Sequence, residues 1–159
     1  MSDTALILRA AAGTDAPTLA QLAAELGYRA DAETLRQRLA LLADRPDHAV
    51  FVAERGGGSP EPASGVAGWI HVGRVISLEG GEAAEILGLV VSALARRAGV
   101  GRQLVQRADR WAQEHGLERI VVRSNALRTE AHFFYPALDY VLAKTQRVYV
   151  KPLERQIVF

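Results

Sequence analysis

The sequence contains no cysteine, and this absence excludes several kinds of site at once. Disulfide frameworks, zinc–thiolate centres and cysteine nucleophiles all require a thiol, so none of them is available to this chain. No histidines or carboxylates are paired at the spacing of metal ligands, and we therefore expect no metal site. The composition is compatible with a reducing compartment.

A strong charge bias and long apolar runs are absent too. The 19 basic and 18 acidic residues leave a formal net charge of +1, so we expect no bulk attraction to nucleic acid or to an anionic membrane. The apolar stretches have the length of strands and fall well short of the roughly 18 residues that a membrane span needs. The first residues lack the basic and apolar segments of a signal peptide, and we expect a cytoplasmic protein.

What remains is the composition of an ordinary globular protein, with 159 residues of which 49% are hydrophobic and 23% charged. This length predicts a single domain over residues 1–159. The only biased segment is the glycine- and proline-rich stretch 56–64, which predicts a mobile hairpin loop.

Hydrophobic periodicity predicts strands and helices in the order strand, two helices, three strands, helix, strand, helix, strand. The predicted strands are residues 5–12, 48–54, 65–76, 84–91, 117–124 and 140–151. Hairpins imply antiparallel neighbours, whereas the strand–helix–strand unit over residues 84–124 implies a parallel pair. The predicted fold class is therefore α/β of the α+β type, a mixed central sheet of about six to seven strands flanked by about four helices.

Capping residues and apolar faces define the predicted helices. The first starts near Thr14 or Asp15 and ends at Gly27, and Asp31 caps the second. The last runs over residues 129–138 with Thr129 as its cap. The third covers residues 99–115, ends at Gly116 and has an apolar face made of Val100, Leu104, Val105, Ala108, Trp111 and Ala112.

The third helix begins with a glycine-rich turn that follows a strand. The turn reads Arg96, Arg97, Ala98, Gly99, Val100, Gly101, Arg102. The glycines allow an anion to approach the backbone, the first amides of the helix have no partner inside it, and the arginines add positive charge. This arrangement predicts a site for a phosphate or diphosphate. No lysine follows the glycines as in a nucleotide P-loop, and Leu104 stands where a dinucleotide motif needs glycine.

The turn matches the [RQ]-x-x-G-x-[GA] motif, and the chain here resembles the Gcn5-related N-acetyltransferase (GNAT) family. The order of elements is also that of the family. The strand residues Leu89, Val90 and Val91 precede the turn at the family's spacing. Downstream, Asn125, Arg128, Ala131, Phe134 and Tyr135 are similar to the family's N-x-x-R-x-x-A-x-x-F-Y stretch.

The resemblance implies acetyl-CoA as the co-substrate. Its diphosphate would lie on residues 96–102, and the strand before the turn would bulge away from the next parallel strand. Backbone groups of Leu89 and Val91 would then bind the pantetheine arm, with Val91 N–H as the candidate oxyanion donor. The amide of Asn125 would contact the same molecule, and Arg128 belongs to the same motif.

The resemblance also implies two catalytic roles. Tyr135 is the predicted general acid that protonates the leaving thiolate, although Pro136 is expected to kink the helix immediately after it. Glu85 is the favoured base for the amine, directly or through a water, and His71 and His132 are alternatives. Asp139 replaces the glycine that often follows this helix, and aspartate tolerates the left-handed backbone such a turn needs.

The acceptor is expected to be a primary amine of a small molecule or a peptide. Tyr28, Trp69, His71 and His132 are the predicted acceptor contacts. The alternative function is a non-catalytic regulatory module that binds acyl-CoA without turnover. An exposed sheet edge could also pair two chains, so a homodimer is a further expectation.

Overall fold

The computed structural model describes residues 5–56, 65–96 and 98–154, which form parts of two compact units, Met1–Arg123 and Ser124–Phe159. Residues 57–64 of the predicted hairpin loop and Arg97 lie outside the described residues. The single domain predicted over residues 1–159 stays a prediction.

The first unit is a mixed five-stranded sheet with helices on its two faces. Its strands are Leu6–Ala10 (β1), His48–Arg55 (β2), Val66–Ser77 (β3), Gly81–Val91 (β4) and Ile120–Val122 (β5). They lie side by side in chain order, and all neighbours are antiparallel except β4 and β5. The predicted fold class and the parallel pair are confirmed. The described residues hold five strands and not six to seven.

Two helices cover one face of the sheet, which we call the front face. They are Ala16–Glu25 (α1) and Ala32–Ala43 (α2). Leucines of α1 pack with sheet residues in one buried cluster, and leucines of α2 pack against it. The predicted boundaries hold: Gly27, with φ +84°, follows α1, and Asp31 caps α2 by accepting a hydrogen bond from the Thr34 N–H at 2.7 Å.

The third helix, Val100–Glu114 (α3), covers the opposite face, which we call the back face. All six predicted apolar residues are buried. Gly68 lies under α3, where a β-carbon would come within 3.1 Å of Leu104 and 3.2 Å of Val100 on that helix, and within 2.8 Å of the Val90 carbonyl oxygen on β4. Gly116, with φ +69°, follows the helix as predicted.

The second unit differs from the prediction in its helix. A short helix, Ala131–Phe134 (α4), gives way to a 3₁₀ turn at Pro136–Leu138. Thr129 is not the cap, because the N-cap residue is Glu130. The expected break after Tyr135 is present, since proline has no N–H to continue the α-helical ladder. Asp139 has φ 68°, so aspartate takes the left-handed position as expected.

The predicted strand over residues 140–151 is wrong. Residues 140–151 have no regular secondary structure, and residues 141–151 are exposed. A period-two apolar pattern shows only which face of a strand would be buried, whereas the strand itself requires a hydrogen-bonded neighbour. The strand predicted over residues 117–124 is present, but only as the shorter β5.

Candidate active site

The pairing between strands β4 and β5 ends at a β-bulge in β4. His71 of β3 lies opposite Gly88 and Val72 lies opposite Ile86, so Leu87 is the extra residue on β4. The parallel pairing with β5 ends at Ile86. The rest of β4 therefore runs beyond the part of the strand that β5 covers, as the resemblance implied.

The backbone amides of Leu89 and Val91 point to this uncovered edge of β4. The N–H of Ser92 donates to the carbonyl oxygen of Ala67 on the β3 side at 2.8 Å. Because backbone groups of successive residues alternate between the two edges of a strand, Leu89 and Val91 direct theirs away from β3. Val90 directs its own backbone to β3, and its side chain is buried in the front core.

The turn before α3 has an open anion cradle. Gly99 is the N-cap residue with φ 80°, and no side chain caps this helix. The first intrahelical bond runs from the Gln103 N–H to the Gly99 carbonyl oxygen at 3.1 Å, so the three preceding amides have no partner within the helix. A β-carbon on Gly99 would meet nothing within 4 Å, which shows that the space above the turn is open.

Positive charge surrounds the cradle. Arg96 and Arg102 are exposed and form no ion pair among the described residues. Each charge-assisted hydrogen bond to an anion here contributes about 1.5–3 kcal/mol, and the helix dipole adds about 0.3–1 kcal/mol. Open space, three backbone donors and two cations are what a diphosphate requires, so the residues present fit that group.

Three of the predicted acceptor and catalytic residues lie on the front face. Trp69 and His71 are two positions apart on β3, so their side chains lie on the same face of the sheet. Glu85 of β4 lies opposite Gly73, which is two positions beyond His71, and therefore shares that face. The Trp69 indole lies over Gly88, where a β-carbon would come within 2.9 Å of the ring. Its Nε1 is buried without a hydrogen-bond partner among the described residues.

Glu85 is held by an arginine. Its Oε1 accepts a hydrogen bond from Arg123 Nε at 2.7 Å, and the Glu85 side chain is only 12% exposed. The favoured base therefore lies on the correct face but is already engaged by a cation.

His71 is paired with a second histidine that the sequence analysis did not single out. His71 Nε2 and His48 Nδ1 are 2.9 Å apart. Burial, with a smaller contribution from the neighbouring charge of His48, lowers the pKa of His71 from 6.5 to about 4. The predicted hairpin already indicated that the strand with His48 and the strand with His71 are neighbours. The register, in which His48 lies opposite Gly73, brings the two rings together.

The segment after α1 carries Tyr28, which is 57% exposed. Three residues earlier, the Glu25 carboxylate accepts a hydrogen bond from the Ala93 N–H at 3.1 Å. This contact fixes the end of α1 to the segment that follows β4. Tyr28 is thereby attached to the same part of the first unit as the glycine turn.

The second unit contains the other four predicted site residues. The Asn125 side chain accepts a hydrogen bond from the Leu127 N–H at 2.9 Å, and His132 is exposed on α4. Tyr135 is half-buried, and its ring packs edge-on against Tyr140 with centroids 5.6 Å apart. Burial raises the pKa of Tyr135, while the charge of Arg128 opposes that rise.

A sequence model of one family matches most of the chain. The model describes the acetyltransferase (GNAT) family and matches residues 17–140. No protein of curated function matches the sequence. Among the described residues, no helix combines the length and apolarity required to cross a membrane.

Solved structures share the fold at low identity. Glucosamine-6-phosphate N-acetyltransferase from Arabidopsis thaliana superposes with a TM-score of 0.77 at 17% identity, covering 92% of this chain and 98% of that one. AAC(6')-Iy in complex with the bisubstrate analogue CoA-S-monomethyl-acetylneamine gives 0.76 at 18% identity, with 94% and 99% covered. An aminoglycoside acetyltransferase from an uncultured soil metagenomic sample gives 0.73 at 20% identity, with 96% and 99% covered.

Proposed function

The chain belongs to the GNAT family of acetyltransferases, and we propose that it transfers the acetyl group of acetyl-CoA to a primary amine of a small molecule or peptide by direct attack. The observation that carries this proposal is the uncapped turn at Gly99 beside the uncovered edge of β4. The turn offers donors to an anion, and the strand edge offers amides to an extended arm. Acetyl-CoA carries both groups in one molecule, since its diphosphate is the anion and its pantetheine is the extended arm.

Within this proposal, the first unit holds the co-substrate. The amides of Val100, Gly101 and Arg102 bind the diphosphate, and Arg96, Arg97 and Ala98 are assigned to the same anion on the family's motif. Leu89, Val90 and Val91 form the strand that binds the pantetheine arm, and Leu89 and Val91 direct their amides to it. Asn125 and Arg128 are assigned to the same molecule on the family's pattern alone.

The bound co-substrate supplies an acetyl thioester, and the protein supplies proton transfer and charge stabilisation. The Val91 N–H donates to the oxyanion that develops on the carbonyl oxygen. Tyr135 donates its phenolic proton to the departing sulfur. The phenol carries its proton at neutral pH, since its ordinary pKa is about 10 and burial raises that pKa.

The engaged carboxylate of Glu85 favours a second candidate, a regulatory module that binds acyl-CoA without turnover. If the base of the reaction were permanently paired with Arg123, the fold would keep its co-substrate site and lose its chemistry. The two functions differ in one measurement, the release of CoA thiol in the presence of amines.

The decisive experiment combines a binding measurement with an amine library. Calorimetry with acetyl-CoA tests the site, and release of CoA thiol across primary amines, amino acids, aminoglycosides and peptide N-termini tests transfer. Binding together with transfer to a subset of amines is the expected result. Binding without transfer to any amine would establish the regulatory module, and absence of binding would refute both.

Tyr135→Phe tests the general acid. The substitution removes one hydroxyl and keeps the ring, so we expect kcat to fall about 10²-fold or more while the affinity for acetyl-CoA is retained. Tyr149→Phe is the matched control, because Tyr149 is 85% exposed in the same unit and has no assigned role. Equal kcat values for the two variants would remove Tyr135 from the chemistry.

The acetyltransferase domain is proposed to span residues 1–159, and the family match supports this because residues 17–140 run through both units. We also keep the expectation of a cytoplasmic homodimer. The outer strand β1 supports a dimer, since edge strands pair readily and Ile7 on it is 51% exposed. Light scattering would report about twice the chain mass of 17.2 kDa for a dimer.

A further inference from the structure

Two histidines form a hydrogen-bonded pair in the middle of the front face. Nδ1 of His48 on β2 lies 2.9 Å from Nε2 of His71 on β3, and the ring centroids are 5.1 Å apart. Two ring nitrogens at this distance share one hydrogen, so one ring donates and the other accepts. A pair of this kind can move a proton from one ring to the other without any movement of the backbone.

The sheet makes room for this pair at Gly73. A β-carbon on Gly73 would lie 2.6 Å from two atoms of the His48 ring, so the ring packs where every other residue would place its side chain. His71 lies on the neighbouring β3 position of the same face, opposite Gly88 at the β4 bulge. The pair thus begins at the point where β4 and β5 diverge and leads away from it across the sheet.

We propose that the His48–His71 pair carries the proton of the acceptor amine away from the reaction, an assignment that rests on the proposed function. His71 Nε2–H donates to His48 Nδ1, which leaves the Nδ1 lone pair of His71 to face the ammonium group. The ammonium N–H bond breaks, its electron pair stays on the amine nitrogen, and the proton binds to His71 Nδ1. The Nε2 proton of His71 moves to His48 Nδ1, and the Nε2 proton of His48 passes to water.

The surroundings of His71 favour a ring that passes the proton to His48 over a ring that stays protonated. With a pKa of about 4, the ring is neutral at physiological pH and releases an added proton quickly to its partner. Glu85, the rival base, is held by Arg123. Towards β1, Arg9 is bound to Glu54, and α1 and α2 present leucines to this face.

The activity test is a pH profile. We expect His71→Gln and His48→Gln to lower kcat/KM about 10²-fold at pH 7 for the best amine of the library, and the loss to shrink towards pH 10, where the amine is already neutral. A merely structural role would lower the rate equally at every pH. The matched control is His115→Gln on the back face, where the ring stacks on Trp111, and it is expected to behave as wild type.

The tautomer of the free protein gives a second readout that does not depend on activity. Long-range ¹H–¹⁵N spectra are expected to show His71 neutral between pH 5.5 and 8, with its proton on Nε2. A proton on His71 Nδ1 in this range would overturn the proposal, because that nitrogen could not then accept.

The failure of this proposal is distinguishable from failure of the proposed function. Wild-type protein that transfers acetyl groups while His71→Gln keeps the wild-type pH profile would refute the relay alone. A profile altered by Glu85→Gln and unaltered by either histidine variant would transfer the role to the carboxylate. Wild-type protein that binds no acetyl-CoA, or acetylates no amine, would refute the function and the relay together.

Discussion

Three helices of the first unit begin in different ways, and the difference separates structural ends from a binding end. In the 3₁₀ turn Gly13–Asp15 that leads into α1, the Asp15 carboxylate accepts a hydrogen bond from the Ala12 N–H at 2.7 Å, although no side chain caps α1 itself. At α2, the Asp31 carboxylate accepts a hydrogen bond from the first-turn Thr34 N–H at 2.7 Å. Before α3 there is only Gly99, with no capping side chain. The chain places its own carboxylates in the turn before α1 and at the first turn of α2, and it leaves the first-turn amides of α3 to a ligand.

The charges around these ends follow the same division. Arg9 binds Asp15 through two hydrogen bonds of 2.8 Å, and Asp15 is 8% exposed, so cation and anion satisfy each other. At α3, Arg96 and Arg102 are exposed beside donors that no carboxylate covers. An arginine that stabilises the fold is paired with an internal acid, whereas an arginine that binds a ligand keeps its charge available.

Gly99→Asp has the largest expected effect, because it places a carboxylate where the diphosphate is proposed to bind. The new negative charge would repel the diphosphate, so we expect the affinity for acetyl-CoA to fall at least about 100-fold. Calorimetry measures the affinity. The space around Gly99 is open, and aspartate tolerates its positive φ better than most residues, so the fold should survive at some cost in stability and give an unchanged far-ultraviolet circular dichroism spectrum.

Gly99→Asn is the control for this variant. Asparagine has the same shape as aspartate and tolerates a positive φ, but it carries no charge. We expect it to retain most of the affinity that Gly99→Asp loses. Equal losses in the two variants would mean that bulk and not charge blocks the turn, and full retention of binding by both would place the diphosphate elsewhere.

Asp15→Asn changes the carboxylate in the turn before α1 and should alter stability instead of binding. The substitution leaves Arg9 without its main partner, and we expect the free energy of unfolding to fall by about 2–3 kcal/mol. The hydrogen bond from Arg9 lowers the pKa of Asp15, against the opposing effect of burial. Since the folded pKa is depressed, this stabilisation is complete above the ordinary value of 3.8 and is lost as the pH falls through the folded value.

Urea unfolding at pH 7 and at pH 3 measures both effects. The difference in the free energy of unfolding between wild type and Asp15→Asn should be smaller at pH 3 than at pH 7. Glu33→Gln is the control, because the Glu33–Arg36 pair is exposed on α2 and should contribute much less to stability than the Arg9–Asp15 pair. A loss in acetyl-CoA affinity from Asp15→Asn, at a temperature where the variant is folded, would contradict the division between the two kinds of end.

Features encoded within one segment could be predicted from the sequence. The six buried residues of α3 repeat at helical spacing and are bounded by Gly99 and Gly116, so local chemistry alone defines the helix. The same holds for the Asp31 cap and for the left-handed Asp139. The glycine turn was found in the same way, because its donors and charges lie within seven consecutive residues.

Features that depend on two distant segments were predicted poorly. Residues 140–151 have the alternation of a strand, but alternation does not supply a neighbour. His48 was missed because it acquires a role only through the register of β2 against β3, which places its ring over Gly73. The ion pair between Glu85 and Arg123 depends in the same way on the register of β5 against β4. That register could not be predicted from the sequence, because β5 has only three residues.

Asp31→Ala has the smallest expected effect and completes the comparison between the helix ends. Its carboxylate caps α2 from an exposed position, and we expect its loss to lower the free energy of unfolding by less than Asp15→Asn does. Thermal unfolding measures that loss, and calorimetry should find the affinity for acetyl-CoA unchanged. Asp31→Asn should recover most of the stability, because asparagine caps almost as well. If Asp31→Ala leaves the affinity for acetyl-CoA unchanged while Gly99→Asp lowers it, the absence of a capping side chain at α3 serves ligand binding.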